Sequence, residues 1–122
     1  MPQVLLTSVL SKVKGHHEYQ YPYEIGEYVV CMVEANNAHS DNAIIVKSNQ
    51  GVTLGHVPER LARILKPLIE EGRIHRVVGK ITGHARPAPQ GTWVRGGGIE
   101  IPCKYKLYGS ICNKQSVIAM LQ

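Results

Sequence analysis

Between residues 36 and 61 the chain reads NNAHSDNAIIVKSNQGVTLGHVPERL, and this stretch limits the fold more than any other. Two short apolar runs, 43–46 and 52–54, are made mostly of β-formers. Between them Ser48-Asn49-Gln50-Gly51 supplies turn residues and a glycine that accepts positive φ. The pattern predicts a β-hairpin. A hairpin this short brings its outer ends together. The polar loop 36–42 that leads in and the Gly55-His56-Val57-Pro58 exit should therefore be neighbours, and a site is expected there.

The flanking segments add strands. Residues 8–14 alternate around Val9, Ser11 and Val13 and end at Gly15. In 27–34, YVVCMV stands between two glutamates, and its length and β-branched content predict a strand buried on both faces in the middle of a sheet. Residues 73–83 predict a strand holding Ile74, Val77, Val78 and Ile81, with the Val-Val pair marking a bulge or two-faced burial. In 99–107, Ile99, Ile101, Cys103, Tyr105 and Leu107 share one face, and Glu100, Lys104 and Lys106 share the other. Pro102 points to an edge or a bulge there.

A helix is expected over 58–71. Pro58 suits its first position, Gly72 its C-terminal cap, and Leu61, Ile64, Leu65, Leu68 and Ile69 form its apolar stripe. Pro67 removes a backbone hydrogen bond at a cost of about 3 kcal/mol, so a kink or two short helices is predicted. Residues 84–98 form a Pro/Gly loop long enough to be either functional or disordered. The fold class that follows is mainly β with minor α: a small, partly open OB-like or SH3-like β-barrel of about six strands, with one kinked helix or two short helices. Residues 1–112 read as one domain and 113–122 as a C-terminal tail that adds at most a short helical turn.

The 122 residues suit one core, and 14 Lys and Arg against 9 Asp and Glu give a net charge of +5, which favours polyanions. Cys31, Cys103 and Cys112 lack disulfide or zinc spacing, and no stretch resembles a signal or a membrane span. An intracellular protein, nuclear or cytoplasmic, is expected. The six histidines show no zinc pairing, and no cofactor is implied. Catalysis finds no support: nucleophile-elbow, zincin and phosphate-loop motifs are absent, and Asp41 is the only aspartate.

Nucleic-acid binding has better material. Single strands are held by cations along the phosphates and flat side chains under the bases, each stack contributing roughly 1–3 kcal/mol. His16, His17, Tyr19, Tyr21 and Tyr23 in the first loop, His39 and His56 around the hairpin, and Arg86, Trp93 and Arg95 in the long loop could rim one barrel mouth. Each also has a plainer role: Tyr21 and Tyr23 can pack their loop, Trp93 can cover the barrel end, and the arginines can be solvated. Asn36, Asn37 and Asn42 are expected to shape the turn through their own backbone, with Ser40 or Asp41 as a ligand acceptor.

These segments, N-N-x-H-x-x-x-A-I-x-V, G-x-x-L-G-H-V-P, the helix, and G-G-x-I-E-I-P-C-K-Y, resemble a HIRAN domain over roughly 9–109. Gly-His-Val-Pro and Ile-Glu-Ile-Pro-Cys carry the likeness most specifically. The resemblance implies an OB-like barrel that captures the 3′ end of single-stranded DNA, with an aspartate accepting the terminal hydroxyl, a tyrosine stacking on a base and basic groups holding phosphate. His39 stands at the tyrosine position and Ser40 at the aspartate position, while Asp41 comes one residue late, which on an extended loop turns it to the other face. His56 matches the Gly-His position, and Glu59 falls near a family lysine with Arg60 beside it. His17 lies about where a phosphate-binding arginine would be. Ile99 replaces a stacking aromatic, leaving Trp93 as its substitute. The Gly15-His16-His17-Glu18-Tyr19 loop is closer to small stand-alone HIRAN-like proteins.

The combined expectation is a non-catalytic module for single-stranded DNA and its 3′ end. His39, Ser40, Asp41 and His56 would form the end pocket, with His17, Tyr19, Arg60, Trp93 and Arg95 gripping backbone and base. The alternative is a protein-interaction module on the same fold that has lost this pocket.

Overall fold

The computed structural model describes residues 3–15, 22–38, 40–87 and 99–122. Its strands are β1 (Val4–Val13), β2 (Tyr28–Val33), β3 (Ile44–Lys47), β4 (Thr53–His56), β5 (Arg76–Ile81), β6 (Arg86–Pro87) and β7 (Ile99–Gly109). Helix α1 (Glu59–Glu70) follows β4, and a 3-10 turn at Ile111–Asn113 leads into helix α2 (Lys114–Met120). The strands join in the order β1-β7-β5-β2-β3-β4, with β6 added against β7, and every pairing is antiparallel. The expected mainly β architecture is present, with seven strands.

The predicted hairpin is β3–β4. Ser48 is 5% exposed and closes it: its N–H donates to the Val52 carbonyl at 2.8 Å, and its Oγ accepts from the Gln50 and Val52 amides, each at 3.2 Å. Gly51 adopts φ 81°, as the turn requires.

The sheet curls until its outermost strands, β1 and β4, meet at one bridge. There Lys14 and His56 exchange both backbone hydrogen bonds at 2.8 Å. Gly55 makes that approach possible, because a Cβ on it would lie 2.3 Å from the Lys14 carbonyl oxygen. Among the described residues the rest of this seam has no ladder, so the barrel wall is not closed.

β7 carries its expected alternation. Ile101, Cys103, Tyr105 and Leu107 are fully buried, while Lys104 and Lys106 point outward. Gly79 leaves room for this row, since a Cβ there would sit 2.8 Å from Cys103 Sγ and 2.8 Å from a Val29 methyl. Glu100, on the face opposite the buried row together with Lys104 and Lys106, is nonetheless 1% exposed. Pro102 departs from expectation, for β7 lies inside the sheet between β1 and β5. Its effect is to end the β5 ladder. Thr82 donates to the Pro102 carbonyl at 3.0 Å, and proline has no N–H with which to return the bond.

Two further expectations are corrected. β2 is buried on one face only: Val29 and Cys31 point inward, while Tyr28 and Met32 are 44% and 50% exposed. Its apolar run reads as two-sided because its outward residues are also apolar. The Val77-Val78 pair forms neither bulge nor two-faced burial, since β5 keeps an unbroken register with β7 and only Val77 is buried.

Helix α1 places Ala62, Leu65 and Leu68 against the core; burying a leucine side chain contributes about 1.5–3 kcal/mol. It runs continuously across Pro67, with Pro58 as its N-terminal cap residue. Gly72, at φ 78°, donates to Ile69 and lets the chain turn back. Helix α2 adds the fully buried Val117 to the same core. Among the described residues no helix is long and apolar enough to cross a membrane.

Candidate functional site

The loop between β2 and β3 and the first turn of α1 meet where the hairpin closes. Asn36 takes φ 62° there, a conformation asparagine tolerates. Asn37 Nδ2 donates to Glu34 Oε1 at 2.5 Å, and Asn37 Oδ1 accepts from the Ser40 amide at 3.0 Å. Ser40 Oγ accepts from the Asn42 amide at 3.0 Å and donates to Glu59 Oε2 at 2.7 Å. Asn42 Nδ2 donates to Glu59 Oε1 at 3.3 Å. His56 Nε2 lies 2.9 Å from Glu34 Oε1. The corner is thus one network with a carboxylate at each end.

Both carboxylates are held ionised. The Asn37 hydrogen bond, then the one from His56, keeps Glu34 below the ordinary carboxylate value; the Ser40 bond, then that of Asn42, does the same for Glu59. With Glu34 ionised, His56 Nε2 carries the proton it shares. The two side chains are 29% and 48% exposed, and a carboxylate has about four acceptor sites, so each keeps capacity toward solvent.

Beside this corner a groove of about 550 Å³ runs between β1 and α1. Val9, Leu61 and Ile64 supply its apolar lining, and Lys12, Lys14, Glu59 and Arg60 its charges. Glu59 belongs to both regions. At the β1 end of the groove, Glu100 is buried beneath cations: Lys12 Nζ at 3.1 Å, Lys14 Nζ at 3.3 Å and Arg86 Nε at 3.9 Å. Burial pushes its carboxyl up, but the Lys12 and Lys14 ammonium groups outweigh that and hold it below the ordinary value. Three cations share one carboxylate, which leaves positive charge over for a ligand.

Of the sequence-derived candidates, Ser40 and His56 fall in the network, and Arg60 lines the groove next to it. Asp41 enters through its backbone carbonyl, which accepts from Lys66 Nζ. His17, Tyr19, His39, Trp93 and Arg95 lie outside the described residues. Sequence reasoning missed Glu34, Glu59, Lys12 and Lys14. A signal existed for two of them: Lys12 and Lys14 share a face at strand spacing, two residues apart. Among the described residues no cluster of three or more His, Cys, Asp or Glu is placed to hold a metal ion.

A family model described as the HIRAN domain matches residues 7–110. The chain belongs to the HIRAN domain family. Among solved structures, this HIRAN domain is similar to the crystal structure of the HIRAN domain of human HLTF, with TM-score 0.77 and 22% identity over 98% of this chain and 89% of that one. The NMR structure of the HLTF HIRAN domain in its DNA-bound conformation gives TM-score 0.70 and 24% identity over 98% of this chain and 88% of that one. A crystal structure of a protein from Lactobacillus plantarum gives TM-score 0.55 and 19% identity over 85% and 98%. At these identities the likeness is one of fold. No curated protein sequence matches the chain.

Proposed function

We propose that this HIRAN domain is a non-catalytic intracellular module that binds single-stranded DNA, and that the hairpin corner receives the strand's 3′ end. One observation carries the reading: the ionised carboxylate of Glu59 lines a groove with a cationic rim and an apolar lining, and a second, Glu34, closes the far end of the network that holds it. A terminal hydroxyl donates a strong hydrogen bond to a carboxylate, whereas a terminal phosphate is repelled by it. Glu59 thereby takes the part that the resemblance gives to an aspartate near Ser40, and Ser40 orients it. Lys12, Lys14 and Arg60 would carry the adjoining phosphates, and Val9, Leu61 and Ile64 offer apolar contact to a base. His39 keeps its proposed place in the end pocket, and His17, Tyr19, Trp93 and Arg95 keep their proposed roles gripping backbone and base. The DNA-bound state named for the HLTF domain of the same fold supports the choice of ligand.

Chemistry by the buried thiols is disfavoured in this reading: burial pushes the Cys31 thiol far up and the Cys103 thiol up to about 12. The protein-interaction alternative draws on β1, whose outer edge carries no ladder partner between Val4 and Val13 among the described residues and whose Leu10 is 78% exposed.

Fluorescence anisotropy with a short labelled strand tests the reading. A free 3′-hydroxyl should bind more tightly than a 3′-phosphate or an end buried in a hairpin, and rising salt should weaken binding steeply. Equal affinity for all three ends would remove the end pocket. Absence of binding at low salt would remove the nucleic-acid reading and leave the interaction module.

A further inference from the structure

The outward side chains of β1, β7, β5, β2 and β3 form a second surface whose charges have no explanation in the fold. Cross-strand register lines up Leu10, Lys104, Lys80 and Tyr28 in one row, and Lys106, Val78, Val30 and Lys47 in the next. Arg76 stands opposite Tyr108 and lies over its ring, 4.7 Å from the centre. These rows hold cations and apolar groups and no carboxylate.

Lys80 and Lys104 are direct cross-strand partners, and like charges so placed destabilise a sheet. Lys80 and Lys106 Nζ also share one ring, at 5.7 and 5.2 Å from the centre of Tyr28. No ion pair among the described residues includes Lys47, Arg76, Lys80, Lys104 or Lys106. A depression of about 530 Å³ opens between the three lysines, Leu10 and Ile25. The groups around it repel one another when it is empty and would be relieved by a multivalent anion.

We infer that this outer face is a second, end-independent surface for a single nucleic-acid strand, with Lys80, Lys104 and Lys106 on backbone phosphates and Tyr28 against a base. Charge complementarity selects the occupant, and the 44% exposed Tyr28 adds the flat contact that an acidic peptide would not need. Continuity supports the same choice, because the neighbouring outward row, Met32, Ile45 and His56, leads to the corner. The identity of the occupant rests on the nucleic-acid reading above; the charge arrangement does not.

A circular single strand, which has no end, separates the two surfaces. It should bind in a salt-dependent way. Lys80→Gln/Lys104→Gln/Lys106→Gln should weaken it at least tenfold and lower the slope of log affinity against log salt by about 2, from roughly 0.7 per phosphate contact. Arg73→Gln, which removes a cation paired with Glu71 and belonging to neither surface, should leave circle binding unchanged. A linear strand that binds while the circle does not would overturn this surface and spare the corner; a circle that binds as tightly as any linear end would do the reverse. Binding of neither would overturn both. A polyglutamate peptide that displaces the circle as well as unlabelled strand does, at equal charge, would overturn the nucleic-acid assignment. The triple variant and Lys104→Gln alone should both melt at a higher temperature than the parent, and a fall in both would show that these lysines serve the sheet instead.

Discussion

At the hairpin corner Glu34 and Glu59 each face two hydrogen-bonding side chains, whereas on the outer sheet face Lys80 and Lys104 face each other. In the first region the two carboxylates have local partners, so their presence is already accounted for by folding, and ligand binding must use what acceptor capacity remains. In the second the cross-strand lysines cost stability, and among the described residues they receive ring contacts but no ion pair in return. A charge satisfied within the fold binds with the capacity it has left, while an array of like charges without a counter-charge favours a multivalent anion. In the proposed reading the corner discriminates between strand ends and the outer face adds affinity.

The sharpest way to break this arrangement is Gly55→Ala. The added methyl cannot coexist with the Lys14–His56 bridge, and the domain should lose about 3 kcal/mol, read from its urea unfolding midpoint. Gly51→Ala has open space around it and should cost only about 1 kcal/mol, for its positive φ. Glu100→Gln comes next. Its lysine partners are about a third exposed and can turn to water, so about 1 kcal/mol at neutral pH is expected rather than the several typical of a sealed pair.

The same variant should flatten the acid side of the stability profile. Glu34, Glu59 and Glu100 have native values below the ordinary 4.5, so near that pH the native state binds fewer protons than the unfolded chain. Their stabilisation is present above about pH 4.5 and drains away as pH falls through the lower native values. Glu59→Gln should move stability by less than about 1 kcal/mol, since the side chain is half exposed, yet it removes the charge proposed to reject a terminal phosphate. Anisotropy with the two strand ends should then show their affinities converging. The smallest effect is Lys104→Gln, a gain of a few tenths of a kcal/mol from relieving one like-charge pair.

The sequence made the hairpin, α1 and the alternation of β7 legible, because each rests on local chemistry: turn residues, a helical apolar stripe and a period of two. It did not reveal which faces would be covered. YVVCMV contains no polar residue to mark its open side, so Tyr28, Val30 and Met32 read as core although they stand on the surface. The burial of Glu100 was equally unmarked, since the cations that cover it come from β1 and β6, far away in sequence. The candidate site divided in the same manner. Ser40 and His56 were legible from the turn and the Gly-His corner and Arg60 only from the family resemblance, while Glu34 and Glu59, 25 residues apart in sequence, become one feature only when the hairpin closes.

Pro102 acts on a strand it does not belong to. By lacking one hydrogen on β7, it leaves the bond from the Thr82 amide to its own carbonyl unreturned, and β5 ends at Ile81. The length of one element is thus written in its neighbour, like a stop on a ruler. The chain from Thr82 onward is thereby released toward Arg86, which returns against Glu100 as β6. Any residue with an N–H at position 102 would offer the missing bond and invite β5 to run on, drawing the segment that carries Arg86 into the wall instead of leaving it beside the groove.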